Sequence, residues 1–236
     1  MIEFSIDESV LDRHPAVAVL GFLAEVASLA GNLDTIAILP TPFPPPDSLA
    51  SHPLLAPWRA AAKAGGLKPS EFRSSPEQLV RRWLLGKEIR TEIPLVDLYC
   101  AVSVSYIVPL GAYDVDRLPG SRIELRIARS TDHFSPLGSN SMPVDRPVVV
   151  YACGDTILCF NFNHRDSAET CLLADTRRAV FFGEAITIDQ TDALEKAMAD
   201  LRSRLARGGA HLGRLVSASS SKRSVELNLE VSTLSE

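Results

Sequence analysis

The stretch that decides the fold reads LVDLYCAVS at positions 95–103 and PLGAYDVDRL at positions 109–118. An apolar segment with a few polar groups leads into a Pro-Leu-Gly turn and then into an acidic, aromatic strand or loop. We predict that residues 97–106 form a mostly buried helix. Polar groups in such a segment need partners or a function. Asp97 and Cys100 are therefore predicted to line a pocket with the turn Pro109–Gly111, where Gly111 leaves room for a ligand. Alternatively, Asp97 is the cap of the helix that follows Pro94.

N-terminal to this stretch, the chain alternates between predicted strands and predicted helices. Strands are expected at 2–6 and 16–26, joined by a short turn through residues 12–15; a buried helix is the alternative for the second segment. Residues 40–46 are interpreted as a proline-rich connector. Helices are predicted over 54–64 and 75–85, the second with Ser75 as its cap, Pro76 at its first position and Gln78 completing a capping box.

C-terminal to it, the pattern changes to short strands. These are predicted at 122–128, at 147–152 and 156–162 as a hairpin around the turn 153–155, and at 179–182. An amphipathic helix is predicted over 192–207. We expect residues 1–215 to form one domain and the Ser-rich segment 216–236 to be flexible or to add an edge strand.

The composition is that of an ordinary globular protein with one sizeable core. The chain has 236 residues, 46% of them hydrophobic and 22% charged, with a net charge of −5. This balance argues against strong general affinity for nucleic acid or an anionic membrane, although clustered arginines leave a local basic face open. The four cysteines contain no Cys-x-x-Cys pair, and no secretory signal begins the chain, so a cytoplasmic location is expected.

Two polar segments are candidates for binding chemistry. In LKPSEFRSS, positions 67–75, Lys68 or Arg73 is suited to holding a carboxylate or phosphate, unless the segment is only a loop between helices. In FNFNHRDS, positions 160–167, Asn163 is suited to an amino or carboxylate group and Arg165 to a carboxylate or phosphate. Cys100 and His164 are the residue types of a thiolate and its base, although a buried inert cysteine is the more common case.

Common cofactor and metal motifs are missing from the sequence. It has no dinucleotide-binding glycine pattern, no phosphate-binding loop, no His-Glu-x-x-His and no Gly-x-Ser-x-Gly. The five histidines are scattered without metal-ligand spacing. We therefore predict no cofactor and no metal site.

Taken in order, these segments resemble the B3/B4 domain family, the editing and tRNA-binding module of the β-subunit of phenylalanyl-tRNA synthetase, which also occurs as free-standing proteins. The resemblance runs from about residue 54 to 182, and its longest supports are LVDLY at 95–99 and PLGAYDVDRL at 109–118. It implies an α/β (α+β) fold, a three-layer β/β/α sandwich in a single compact domain. It also implies a pocket for a misattached amino acid whose ester to tRNA is hydrolysed by water.

Carried onto this chain, the resemblance places the pocket at Cys100, at Pro109–Gly111 and at the strand end 161–165. Three positions depart from the synthetase module: Cys100 stands where Asn is typical, His164 where an aromatic ring is typical, and Gly111 where the module has His. The site is therefore altered. The candidate catalytic residues are Asp97, Cys100 and His164. The candidate substrate-binding residues are Arg73, Pro109, Leu110, Gly111, Tyr113, Asn161, Asn163 and Arg165.

Three functions remain open on these grounds. The first is hydrolysis of a misacylated tRNA or a similar aminoacyl ester. The second is a biosynthetic enzyme that uses the pocket for a free amino acid or aminoacyl donor, in condensation or amide formation. The third is a non-catalytic tRNA or protein binding module, with tRNA contacts through an arginine-rich surface. The expected partners are an amino acid or aminoacyl-tRNA, and no membrane.

Overall fold

Two β-sheets packed face to face form the centre of the molecule. The structure, a computed structural model, describes residues 1–27, 29, 33–39, 43, 45–87, 89–138, 140–144 and 146–229. The larger sheet contains β1 (Ile2–Ile6), β4 (Arg122–Ile127), β5 (His133–Phe134), β6 (Met142–Pro143), β7 (Val149–Cys153), β8 (Thr156–Phe160), β9 (Arg165–Asp166) and β13 (Ser224–Leu227). The smaller sheet contains β2 (Ala18–Glu25), β3 (Leu110–Asp114), β10 (Arg178–Ala185), β11 (His211–Leu212) and β12 (Val216–Ser219).

The strand order brings distant parts of the chain together. In the larger sheet the order is β13-β1-β4-β7-β8-β5-β6, with β9 also paired to β8. In the smaller sheet it is β11-β2-β10-β3, with β12 also paired to β2. The pairs β1 with β4 and β5 with β8 are parallel, and the other pairs are antiparallel. Strand β13, the last strand in the described ranges, lies at the edge of the larger sheet, against β1.

In the described part of the chain, five helices surround the two sheets, and two of them, α4 and α5, cover the outer face of the smaller sheet as a third layer. The helices are α1 (Glu8–Arg13), α2 (Ala56–Ala64), α3 (Ser75–Leu84), α4 (Pro94–Tyr106) and α5 (Thr191–Arg207). One hydrophobic core lies between the sheets, and a second lies between the smaller sheet and α4 and α5. The predicted three-layer β/β/α sandwich in one compact domain is confirmed. Within the described ranges, no helix is both long and apolar enough to cross a bilayer.

Strand β10 contributes side chains to both hydrophobic cores. Successive side chains of a strand point to opposite faces. Val180 and Phe182 accordingly pack between the sheets, whereas Ala179 and Phe181 pack against the helices. Glu184 has the same parity as Phe182, so its carboxyl is directed between the sheets, where it is 3% exposed.

Helix α4 carries the stretch from which the sequence was interpreted. Pro94 suits the first turn, where its missing N–H is not needed. Leu98, Val102 and Val104 are fully buried, so the predicted buried helix over 97–106 is confirmed and begins three residues earlier. The helix ends at Tyr106, and the next residue, Ile107, has a φ of 57° that turns the chain toward β3.

Two local predictions were wrong. Helix α1 stands where a short turn was expected, because Asp7 caps it by accepting a hydrogen bond from the Ser9 backbone N–H at 2.9 Å. The cap of α3 is Ser74, not Ser75, and no capping box forms. The Gln78 amide instead donates to the backbone oxygens of Arg73 and His164. The predicted connector 40–46 falls largely outside the described residues.

Candidate functional site

A narrow cavity opens between the two sheets beside the start of α3. Its volume is about 30 Å³. Its wall combines strand ends, one loop and one helix end that are far apart in the sequence. The lining residues are Ser75, Pro109, Leu110, Gly111, Tyr113, Tyr151, Cys159, Phe162, Asn163, Asp166, Phe182 and Glu184.

The turn before β3 forms one side of this cavity because β3 pairs with β10. Gly111 lies opposite Phe182 in that antiparallel ladder. A methyl group built on Gly111 would meet no atom within 4 Å, so the space beside this residue is open. A glycine here lets a ligand approach the backbone directly.

The loop after β8 forms the opposite side, and its backbone is unusual. Asn161 and Phe162 have φ values of 51° and 57°, in the left-handed region that non-glycine residues seldom adopt. This conformation turns the chain so that Asn163 faces α3. The backbone N–H of Ser75 donates to both the side-chain and the backbone oxygen of Asn163, each at 3.1 Å.

Glu184 is the most deeply buried acid of the cavity, and two neutral donors hold it. The Asn163 amide donates to Oε1 at 2.7 Å, and the Tyr151 hydroxyl donates to Oε2 at 2.8 Å. Burial raises the pKa of Glu184 to about 7, because the charged form loses its hydration and these two hydrogen bonds compensate only in part.

Asp166 provides a second acid on the same cavity. Burial raises its pKa to about 6, opposed by a hydrogen bond from the Cys159 thiol. No Lys or Arg is among the described residues that line the cavity. The site therefore offers two carboxyl groups that titrate near neutrality, with tyrosine hydroxyls and an amide beside them.

Glu184 should make the stability of the protein depend on pH. Its pKa is raised from the usual 4.5 to about 7 in the folded state, so the folded state binds this proton more tightly than the unfolded chain. The resulting stabilisation is fully present below about pH 4.5 and is lost as pH rises through 7. Between pH 5 and pH 8, the free energy of unfolding should fall by roughly 2–3 kcal/mol less in Glu184→Gln than in the unmodified protein.

Urea denaturation of both proteins at the two pH values measures this difference. The matched control is Glu195→Gln, at an exposed position of α5, which should leave the pH dependence unchanged. If the free energy of unfolding falls equally with pH in Glu184→Gln and in the unmodified protein, Glu184 is not the group responsible for the pH dependence.

Five of the residues predicted from the sequence meet at the cavity: Pro109, Leu110, Gly111, Tyr113 and Asn163. Asn161 lines a neighbouring cavity on the other side of Phe162. Arg165 is exposed and is not part of the cavity lining.

Asp97 and Cys100 lie elsewhere, in a cavity of about 150 Å³ beside Trp83 and Arg90. Asp97 accepts hydrogen bonds from the backbone N–H and the hydroxyl of Thr91, at 2.6 and 2.8 Å. Burial raises the pKa of Cys100 to about 12, which keeps its thiol protonated.

His164 is turned toward the loop before α3. Its Nδ1 lies 2.8 Å from the backbone oxygen of Arg73, to which it donates, and its ring packs beside Phe72. Burial lowers the pKa of His164. No hydrogen bond joins Cys100 and His164 in the described part of the chain, so the structure does not assemble them as a thiolate and base.

The cationic residues singled out in the sequence are largely engaged with acids. Arg73 Nε lies 3.4 Å from Glu77, which also binds Arg59 Nη1 at 2.6 Å, and Lys68 pairs with Glu71. On α5, Arg204 pairs with Asp200 and Asp34. Arg202 donates to the Gly213 oxygen and lies over the Phe22 ring. The arginine-rich end of α5 therefore serves internal contacts.

Sequence reasoning did not select Tyr151, Asp166 or Glu184 as site residues. The available signal was Glu184 itself, the acid inside the apolar segment AVFFGEA at positions 179–185. A buried charge in a strand needs a partner or a function. No cluster of three His, Cys, Asp or Glu side chains suited to a metal occurs among the residues that the structure describes.

Comparison with known proteins relates the chain to one domain family. The profile of the B3/4 domain matches residues 57–214. The chain is 32% identical over 151 residues to the phenylalanine–tRNA ligase β subunit of Rhodospirillum rubrum, covering 61% of this chain and 18% of that protein. It thus spans less than a fifth of the length of this relative.

Its fold is similar to a solved N-terminal fragment of the phenylalanyl-tRNA synthetase β-subunit from Pyrococcus horikoshii. The TM-score is 0.51 at 13% identity, and the match covers 91% of this chain and 53% of that fragment. At this level of identity the likeness concerns the fold alone.

Proposed function

Because the chain belongs to the B3/4 domain family, we propose that its cavity binds the aminoacyl group of an aminoacyl ester, such as a misacylated tRNA, and promotes hydrolysis of that ester by water. A relative of the chain, 32% identical over 151 residues, is a subunit of a tRNA ligase. Aminoacyl-tRNA carries the ester bond that this reaction needs.

The observation that carries this proposal is the charge of the lining. Glu184 and Asp166 face a cavity that has no Lys or Arg among the described residues that line it. A free amino acid would bring its carboxylate next to these acids without a compensating cation. An aminoacyl ester has lost that negative charge but keeps its ammonium group, which the acids attract.

In this proposal the two acids have different roles, with Asp166 as the general base and Glu184 as a positioning residue. Asp166, with a pKa of about 6, is ionised at pH 7 to 8 and is suited to accept a proton from an attacking water. The water oxygen bonds to the ester carbonyl carbon and the bond from that carbon to the ribose oxygen breaks. The proton held by Asp166 passes to the departing ribose oxygen, which becomes a hydroxyl. The product amino acid regains a carboxylate, which the acidic lining repels.

Glu184 acts as a positioning residue in this scheme. It is held by Tyr151 and Asn163, and these hydrogen bonds connect β7, β10 and the loop after β8. Positioning of this kind contributes to catalysis by fixing the reacting groups in one geometry.

A deacylation assay tests the proposal directly. The purified protein is incubated with tRNAs charged with a panel of labelled amino acids, and the label remaining on tRNA is followed with time. We expect at least one aminoacyl-tRNA to be deacylated well above the rate in buffer. Background rates for every member of a panel that includes small, aliphatic and aromatic amino acids would overturn the proposal.

A further inference from the structure

The proposed reaction creates a negative charge in a cavity that is already acidic. When water attacks the ester carbonyl carbon, one electron pair of the C=O double bond moves onto the carbonyl oxygen. Glu184 and Asp166 line the cavity, and none of the described lining residues is Lys or Arg. An oxyanion in such surroundings needs an uncharged hydrogen-bond donor, and a donor of this kind is often the largest single contribution to catalysis.

Most of the donors in the described lining are already engaged with the two acids. Besides the acids, the side chains that can donate a hydrogen bond are those of Ser75, Tyr113, Tyr151, Cys159 and Asn163. Tyr151 and Asn163 donate to Glu184, at 2.8 and 2.7 Å. The Cys159 thiol donates to Asp166. Two hydroxyl groups are left, one at the start of α3 and one on β3.

Of these two hydroxyls, that of Tyr113 is the one a ligand can reach. Ser75 Oγ is enclosed by protein atoms and has no hydrogen-bond partner in the described part of the chain. The Tyr113 hydroxyl also lacks a partner there but is not enclosed, so the 3% of this residue that remains exposed includes its hydroxyl. Positions 111 and 113 share one face of β3. The Tyr113 side chain therefore lies on the side of the strand where Gly111 leaves open space.

The ring of Tyr113 is held in one place, as a catalytic donor requires. Its centroid lies 6.2 Å from that of Tyr151 and 6.2 Å from that of Phe182. Burial raises the pKa of Tyr113 well above its usual value of 10, and the nearby Cys159 and Asp166 raise it further. The hydroxyl therefore keeps its proton at neutral pH and stays a donor.

We infer that Tyr113 is a further catalytic residue of the site, whose hydroxyl donates a hydrogen bond to the ester carbonyl oxygen as that oxygen becomes negative. The inference rests on the proposed function, to whose mechanism it adds this group. Tyr113 keeps its proton throughout, while Asp166 carries the proton of the water until the ribose oxygen takes it. When the bond to the ribose oxygen breaks, the electron pair of the oxyanion re-forms the C=O double bond.

The variant Tyr113→Phe tests the assignment, because it removes the hydroxyl and keeps the ring. For the aminoacyl-tRNA that the unmodified protein deacylates fastest, we expect kcat to fall by about 10²–10³-fold, with KM nearly unchanged. The rise of kcat/KM through about pH 6 should persist, because Asp166 is intact. Tyr106→Phe makes the same chemical change at the end of α4, outside the described lining, and should keep full activity as the matched control.

The stability of the variant separates this role from a structural one. The Tyr113 hydroxyl has no hydrogen-bond partner among the described residues, so its removal should leave the free energy of unfolding nearly unchanged. Urea denaturation of Tyr113→Phe and of the unmodified protein measures this. A loss of activity that comes with a comparable loss of stability would show that the hydroxyl supports the fold, and would overturn the inference.

Binding of two stable analogues separates the inference from the proposed function. Both are adenosine compounds with the side chain of alanine or of phenylalanine. One has a planar amide in place of the ester, and the other has a tetrahedral, negatively charged phosphonate. We expect Tyr113→Phe to bind the phosphonate at least about 10-fold more weakly than the unmodified protein does, and the amide equally well. If no ester is hydrolysed but this selective loss is seen, the hydrolysis proposal fails and the assignment of Tyr113 holds.

The remaining outcomes overturn the assignment. If Tyr113→Phe hydrolyses the ester at nearly the unmodified rate, Tyr113 is not the donor and the hydrolysis proposal stands. Phosphonate affinity that is unchanged in the variant, or lost to the same extent as amide affinity, excludes a contact made to the oxyanion. If no ester is hydrolysed and neither analogue binds the unmodified protein, both proposals fail.

Discussion

We expect Asp166→Asn to lower kcat/KM for aminoacyl-ester hydrolysis by about 10²–10⁴-fold, the range associated with loss of a general base. Asp166 lines the cavity, and its pKa of about 6 makes it mostly ionised at pH 7 while keeping it basic enough to accept a proton. Asparagine has nearly the same shape but cannot take up the proton of the attacking water.

The pH profile distinguishes this role from a structural one. With Asp166 present, kcat/KM should rise as pH increases through about 6, because the reactive form is the carboxylate. In Asp166→Asn this rise should disappear from the remaining activity. Asp175→Asn, at an exposed position, is the matched control and should retain both the rate and the profile. A variant at position 166 with nearly full activity and an unchanged profile would exclude Asp166 as the base.

The largest loss of stability is expected from Asp132→Ala, about 3–5 kcal/mol. Arg126 is 1% and Asp132 7% exposed, and the two are joined by paired hydrogen bonds of 2.8 and 2.7 Å. Asp132 also accepts the Arg129 backbone N–H at 2.7 Å. Removal of its carboxylate breaks both of these hydrogen bonds to the buried Arg126 guanidinium and leaves only the half-buried Glu124, whose carboxylate lies 3.9 Å from Arg126 Nε, as a nearby counter-charge. Removal of one partner is the costly case for a buried ion pair.

Chemical denaturation measures this loss, with an exposed ion pair for comparison. Arg178 and Asp116 are also paired, but both side chains are 46% exposed. Asp116→Ala should therefore cost no more than about 1 kcal/mol. If Asp132→Ala and Asp116→Ala lose similar amounts of stability, burial is not the reason for the contribution of the Arg126–Asp132 pair.

This buried pair has a consequence for the site. Arg126 also donates to the Gly154 backbone oxygen at 2.9 Å, in the turn between β7 and β8. Those two strands carry Tyr151 and Cys159, which line the cavity. Loosening of the hairpin in Asp132→Ala would therefore reach the cavity as well as the core.

The sequence predicted the elements best where burial is periodic along the chain. Helix α5 was predicted over 192–207 and is observed from Thr191 to Arg207, with Leu194, Met198, Leu201 and Leu205 fully buried. The hairpin of β7 and β8 was found for a similar reason, since two apolar segments flank a short turn. Helix α1 was missed because its six residues are too few to show a period, and only the cap at Asp7 signalled it.

The site could be predicted only in part, because side-chain types and spacing do not report which elements become neighbours. The turn Pro109–Gly111 and Asn163, which the family resemblance grouped together, line one cavity. Cys100 was grouped with them, yet it lines a separate cavity beside Trp83. The face of α4 on which Cys100 lies decides which cavity it lines. A segment that is apolar on all sides of the helix does not show in its sequence which face turns toward which neighbour.

By itself, then, the sequence determined most of the helices and strands, because these follow from local periodicity. It also indicated the family through the order of several motifs, and the three-layer fold followed as what that resemblance implies. Only the tertiary structure decided which acids line the cavity. Glu184 and Asp166 are 18 positions apart, and they reach one cavity only because β10 pairs with β3 in one sheet while the loop after β8 and strand β9 extend from the other. Their pKa values near neutrality arise from burial, a property of the assembled sheets and not of any segment.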